Sequence, residues 1–367
     1  MEQLKQYKCP VCGGEVAFDS SIQKMKCPYC DTEFEVDYFE KPDEFGEGSE
    51  QGETAAETEQ DGPVSPTSQW SKEEAASMRV YACTACGGEI VTDETTAATD
   101  CPFCGNHVVM KEQLSGDLKP DFVIPFRKSK NEAINTYRKY IKKKDFVPRI
   151  FKDSGHIDTM KAVYVPFWLF DMEADADMIL SARTTRVWIQ GDEEFTEVKE
   201  YDVRRQGQMH FERVPADGST SMDDALMESL EPYHYEEMVP FSAGYLAGYL
   251  ADRYDVSAEE CIDRVKARVR KSTERQIISS VQGYDFVKPV ESNIDVAATG
   301  ISYALCPVWL LTTRWGKENY LFAMNGQTGA MIGDLPFDKK SFWKYVLIRG
   351  LITAVVIYLI MWIIVLM

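Results

Sequence analysis

The chain has 367 residues, enough for two or three domains with their own cores, and a net charge of −19. An acidic body is repelled by phosphate backbones, which argues against nucleic-acid binding. No Gly-x4-Gly-Lys-Ser/Thr loop and no Gly-x-Ser-x-Gly elbow occurs, so P-loop ATPase chemistry is excluded and the common hydrolase elbow is absent.

The first predicted element, residues 1–36, centres on CPVCGGEVAFDSSIQKMKCPYC. Cys9, Cys12, Cys27 and Cys30 are spaced Cys-x2-Cys-x14-Cys-x2-Cys. Each Cys-x2-Cys folds two thiolates onto one ion, and two such knuckles complete a zinc tetrahedron. Rubredoxin-like iron uses the same four ligands, so the metal stays open between zinc and iron at this point. The residues between the knuckles read as strand–turn–strand, and Gly13 follows the first knuckle, where the chain must turn at positive φ. The opening MEQLKQYK lacks the apolar run of a secretory leader, so these cysteines read as metal ligands in a reducing compartment, not as disulfides.

Residues 37–79 hold twelve acids and three bases and are rich in Gly, Ser, Thr and Pro, which predicts a disordered acidic linker acting as a tether. Residues 80–112 then repeat the first design with Cys83, Cys86, Cys101 and Cys104 at the same spacing, and Gly87 in the place of Gly13. Modules this small have too little core to fold alone, so two zinc ions per chain are expected, in closed sites with no catalytic position. Residues 1–36 carry four Lys and six acids, residues 80–112 one Lys and five acids, and neither contains an Arg. That balance favours protein docking or scaffolding over phosphate contacts, with Val11, Tyr29 and Phe103 as candidate contacts.

Residues 113–345 read as an α+β cytoplasmic region of two related helix-on-sheet units, about 121–215 and 236–336. VIPF (123–126) and VPF (239–241) each precede a helix, and the strands VYVPFWLF (163–170) and ALCPVWLL (304–311) follow those helices. The first helix carries Ala133, Ile134, Tyr137 and Ile141 on one face. The second carries Ile262, Val265, Val269, Ile277 and Val281, with Ser257 and Glu260 as a capping box. RTTRVWI (183–189) and EEFTEVKEYDV (193–203) read as strands, and Asn325-Gly326 with Thr328-Gly329 marks a hairpin. The alternating acids Asp171, Glu173, Asp175 and Asp177 read as a solvated strand face. The basic runs 138–144 and 264–271 read as solvated helix faces, although they suit anionic lipid headgroups. Cys261 and Cys306 stand alone and read as core residues. His107, His156, His210 and His234 form no ligand pattern.

Residues 346–367 read as one transmembrane helix: Gly350 to Met367 is an uncharged run of eighteen residues, and counting from Val346 adds a turn in which Arg349 can reach the headgroups. Phe342, Trp343 and Tyr345 sit where an aromatic belt belongs. Lys339, Lys340, Lys344 and Arg349 lie on the N-terminal side, which predicts a single-pass cell-membrane protein with a cytoplasmic body.

The order of ribbon, acidic linker, CGGEIVTDETTAATDCPFCGN, YVPFWLFDMEADAD, PVWLLTTRW, FAMNGQTG and apolar tail resembles a family of Firmicutes membrane proteins labelled as containing a TFIIB-type zinc ribbon or as primosomal-helicase-like. The resemblance implies a place in phage-shock-protein-like envelope stress systems, beside SPFH-type and phage-shock-type partners. Only the eight ribbon cysteines carry over as functional residues, and no catalytic residue is implied. The expected function is therefore a non-enzymatic membrane-anchored adaptor for protein partners. The alternative is a membrane-tethered nucleic-acid-binding or transcription-associated factor. Oligomeric state is left open.

Overall fold

The computed structural model describes residues 8–39, 69–71, 74–75, 78–93, 96, 98, 100–113, 118–316, 318–333 and 335–366. β1 (Ala17–Asp19), β2 (Lys24–Lys26) and β3 (Glu33–Phe34) form a small antiparallel sheet in the first ribbon. β4 (Met78–Cys83), β5 (Glu89–Asp93) and β6 (Val108–Gln113) form the second ribbon. The body contributes β7 (Phe122–Val123), α1 (Lys130–Lys142), β8 (Lys161–Gln190), β9 (Glu193–Asp217), β10 (Val239–Pro240) and β11 (Leu250–Asp252). It continues with α2 (Ala258–Ser280), β12 (Phe286–Trp315), β13 (Glu318–Asn325), β14 (Met331–Gly333) and the C-terminal α3 (Lys339–Leu366). Most of the expected linker lies outside the described residues. Its edges differ from the expected 37–79: Val36–Phe39 is a 3₁₀ turn attached to the first ribbon, and Met78 and Arg79 already belong to β4.

Both long body helices start on capping boxes. The Ser129 amide donates to Glu132 Oε2 at 2.9 Å while the Glu132 amide donates to Ser129 Oγ, and Ser257 with Glu260 does the same. The apolar stripe Ala133, Ile134, Tyr137 and Ile141 is buried as its spacing requires. On α2, Val265, Val269 and Ile277 are buried, joined by Ala258, Cys261 and Thr273. Cys261 and Cys306 are both core residues.

The centre of the fold is the antiparallel pair β8–β12, running from Lys161↔Leu310 to Arg183↔Phe286. Setting Pro166 against Pro307 reveals the internal repeat. β7 lies parallel to β12 (Phe122↔Ala304, Val123↔Leu305), and β11 lies parallel to β8 at the matching place (Leu250↔Val163, Ala251↔Tyr164). Trp168 Nε1 donates to Val256 O at 2.8 Å, and Trp309 Nε1 donates to Lys128 O at 2.9 Å. Each of those carbonyls belongs to the residue just before a capping-box serine. The Gly218 amide donates to Pro166 O at 3.0 Å, and the Gly326 amide to Pro307 O at 2.8 Å. DGST (217–220) is therefore the counterpart of NGQT (325–328).

This corrects the expected unit boundaries of about 121–215 and 236–336. The segment VPF (239–241) is not the counterpart of VIPF. β10 is the antiparallel neighbour of β7, with Val239 opposite Val123. The second unit begins at β11, near residue 250. Strands of two or three residues carry no periodicity, so composition alone matched the wrong pair.

The acids of 171–177 alternate with buried Met172, Ala174 and Ala176, and they face solvent. Asp177 receives two hydrogen bonds from Arg204 at 2.9 and 2.6 Å. α2 covers the other side of the sheet only as far as Ala182. Beyond it β8 and β9 continue for about 26 Å as a projecting arm. α3 has no buried residue among those described, and its stretch Lys339–Trp362 is long and apolar enough to cross a membrane.

Candidate metal centres

The structure brings the eight ribbon cysteines into two groups of four. In the first, Cys9 and Cys30 Sγ lie 3.5 Å apart and Cys12 and Cys27 Sγ 3.5 Å apart. In the second, Cys83 and Cys104 Sγ are 3.5 Å apart and Cys86 and Cys101 Sγ 3.6 Å apart. Within each group all four sulfurs lie within 4.8 Å of one another. A tetrahedron of ~2.3 Å zinc–sulfur bonds has edges of roughly 3.8 Å, so the donor set and its spacing fit zinc. Each group could hold one metal ion, with all four positions supplied by the protein.

Four local turns build these centres. The amides of Gly13, Asp31, Gly87 and Gly105 donate to the carbonyls of Cys9, Cys27, Cys83 and Cys101 at 2.8, 2.9, 2.9 and 3.0 Å. All four turn residues sit at positive φ, between 58° and 83°. Glycine adopts that conformation without steric cost. Asp31 is the one non-glycine among the four, and it lies 3.1 Å from Lys26. The hydroxyl and amide of Thr32 hold the Cys30 thiol down at about 6. Burial pushes the Cys83 thiol up, yet the amides of Cys86 and Ala85 hold it at about 7. Cys12 and Cys86 in the same groups are shifted the other way, up to about 12 and about 11, so each group without metal gathers its charge on one thiol, and a bound cation would draw off the remaining protons.

The two centres are seated differently. The first ribbon rests on the body through a small apolar patch. Phe18 packs edge-on against Tyr245 at 5.1 Å, its amide donates to Ala247 O, and Gln23 Nε2 donates to Phe126 O at 2.7 Å. The first ribbon, expected on a tether, is thus docked against the body. A cleft of about 740 Å³ opens between it and the body, lined by Asp19, Lys26, Lys130, Lys161 and Tyr249 among others. The second ribbon is part of the main sheet, because β5 pairs with β11 (Ile90↔Asp252, Val91↔Ala251). Thr312 Oγ1 donates to the Pro102 and Phe103 carbonyls, and Glu89 pairs with Lys111 and Arg253 at 2.7 and 2.6 Å.

Of the apolar side chains expected at the ribbon surface, Val11 and Tyr29 are exposed, but Phe103 is buried in the second ribbon's contact with the body. Among the described residues only the two cysteine groups gather three or more metal-ligating side chains. His107 lies 2.9 Å from Asp100, and His210 and His234 lie near Glu212 and Glu236 on the surface.

Sequence reasoning missed a buried acidic pair. Asp217 and Asp252 are 3% and 2% exposed, and the Oδ2 of each has no hydrogen-bond partner. Burial pushes the Asp217 carboxyl up to about 7 and raises Asp252 well above the usual carboxylate range. The only signal available was the DGST/NGQT match, which sets Asp217 against the buried Asn325.

Over 333 residues the chain is 32% identical to "Uncharacterized protein YdjG" of Bacillus subtilis (strain 168), covering 91% of this chain and 90% of that protein. No family model matches the chain. No solved structure matches it.

Proposed function

We propose that this chain, which belongs to the family of the Bacillus subtilis protein YdjG, is a non-enzymatic membrane-anchored zinc-ribbon adaptor that docks protein partners at the cytoplasmic membrane face. The observation that carries this reading is the pair of closed four-cysteine centres, which supply every ligand themselves and so suit folding, not catalysis. α3 would be the anchor. Lys339, Lys340, Lys344 and Arg349 precede its uncharged run, and by the positive-inside tendency this supports a cytoplasmic body.

Two surfaces are available to partners. The projecting arm ends in exposed Val187, Trp188, Ile189, Phe195 and Val198, and Trp188 stacks on Phe195 at 5.6 Å. Val11 and Tyr29 stand out from the first ribbon, and exposed apolar groups of this kind are common at interaction sites. The envelope-stress setting and partners of SPFH and phage-shock type follow from the family resemblance alone. Affinity capture from solubilised membranes, read by mass spectrometry, tests the adaptor reading with full-length protein. Specific partners should be recovered with the native chain and lost with Trp188→Ser plus Phe195→Ser, while metal content and membrane association stay unchanged. Capture of the same proteins by both chains rules out the arm. Micromolar, salt-sensitive nucleic-acid binding without any captured protein supports the transcription-associated alternative.

A further inference from the structure

The strongest cationic region of this acidic chain is set beside the start of the apolar helix by its own contacts. Residues 138–152 hold seven bases and one acid. Arg138, Lys139, Lys142, Lys143, Lys144 and Arg149 are exposed, and none forms an ion pair among the described residues. The turn that follows α1 is clamped to α3. The ring of Phe146 packs against Phe337 at 5.7 Å, Phe342 at 5.3 Å and Tyr345 at 5.4 Å. The Asp338 amide donates to the Phe146 carbonyl at 2.8 Å. Asp338 also caps α3, accepting from the amides of Lys340 and Ser341 at 3.0 and 3.2 Å. Phe146 adopts φ 56°, a conformation rare for a bulky side chain, so the turn is held where few sequences would place it.

Tyr345 precedes the uncharged run that starts at Gly350 by five residues, about 8 Å along a helix. A headgroup layer is roughly that thick on each side of the hydrocarbon core. The clamp therefore holds the lysine-rich turn at headgroup depth whenever α3 spans a bilayer. The exposed Ile150 lies on the same stretch. We propose that residues 138–152, with Lys339, Lys340 and Lys344, form a surface that binds anionic lipid headgroups. It would fix the body against the membrane and not leave it on a single swivelling helix. This inference rests on reading α3 as the membrane anchor. Charge complementarity and continuity with that anchor point to an anionic lipid surface as the partner. Each lysine near an anionic surface strengthens such binding roughly fivefold.

The test uses the full chain reconstituted into vesicles of phosphatidylcholine alone or mixed with phosphatidylglycerol. Lysines are labelled with a water-soluble amine reagent and mapped by mass spectrometry. Labelling of Lys142, Lys143 and Lys144 should fall severalfold in the phosphatidylglycerol vesicles and recover in high salt, while Lys199 on the projecting arm stays constant. Equal labelling in both vesicles, with the chain resistant to carbonate extraction, overturns this inference and leaves the anchor reading standing. A chain extracted by carbonate overturns both. Protection of the same lysines in phosphatidylcholine by an added oligonucleotide, as strong as that by phosphatidylglycerol, assigns the surface to another polyanion and overturns the lipid reading.

Discussion

Replacing Asp217 with Asn should stabilise the protein at neutral and mildly alkaline pH. Asp217 ends β9 with its side chain enclosed and one carboxylate oxygen unpartnered. Burial is the main cause of its raised pKa, Asp224 and Asp255 reinforce it, and the Ser219 amide and Arg264 oppose it. The carboxyl moves from an ordinary 3.8 to about 7. In the folded chain the proton is therefore held up to about pH 7, whereas the unfolded chain releases it near pH 4. Between those values the folded state binds more protons, so wild-type stability falls as pH rises and levels off above about 7. Roughly three pKa units at ~1.36 kcal/mol each put the full loss near 4 kcal/mol, an upper bound for the gain from removing the charge. Asn keeps an oxygen for the Ser219 amide. The other half of the repeat already shows that the position accepts it, since Asn325 is fully buried there and donates to Leu230 O at 2.9 Å. Thermal unfolding in detergent, followed by tryptophan fluorescence at pH 4, 6 and 8, measures the effect. The advantage of Asp217→Asn should be small at pH 4 and grow through pH 8. A variant less stable than wild type at pH 8, or a difference independent of pH, would refute the buried-charge argument.

Metal analysis should give two ions per full-length chain, falling to one in Cys27→Ser and in Cys101→Ser. Structural zinc is worth ~10 kcal/mol or more, so each loss should unfold its ribbon. Protease sensitivity should spread into the body only in Cys101→Ser, because only the second ribbon is sewn into the main sheet. Trp168→Phe and Trp309→Phe should each lower stability by about 1 kcal/mol through loss of one N–H···O bond, and by equal amounts, as counterparts in the repeat. Unequal losses of several kcal/mol by urea unfolding would break the equivalence. Deleting residues 346–367 should release the chain from carbonate-washed membranes, and persistence in the pellet would place the anchor elsewhere.

The features legible in the sequence were those whose cause is local. Cysteine spacing defined the two centres, because a knuckle closes within five residues. The apolar stripes of two helices, and the capping box at Ser257 ahead of the second, were plain in the sequence, because caps and periodicity act within a few turns; the matching box at Ser129 was equally local but was read only from the structure. The tail was plain because its apolar character needs no partner to be read. The Pro-x-Trp-Leu echo hinted at duplication, since each Trp clasps the backbone just ahead of its neighbouring helix. Tertiary pairing decided the rest. β11 and β10 are equally featureless as sequence, and only parallel pairing with β8 makes β11 the counterpart of β7. The second ribbon became part of the main sheet through β5–β11, a contact more than 150 residues apart in the chain. Asp217 is an ordinary aspartate until β9 closes on β8 and removes its water. The run RKYIKKK reads as any solvated helix end until Phe146 packs on Phe342 and Tyr345 and sets it beside α3. Solvation and proximity at such positions are properties of non-local packing, which no window of the chain contains.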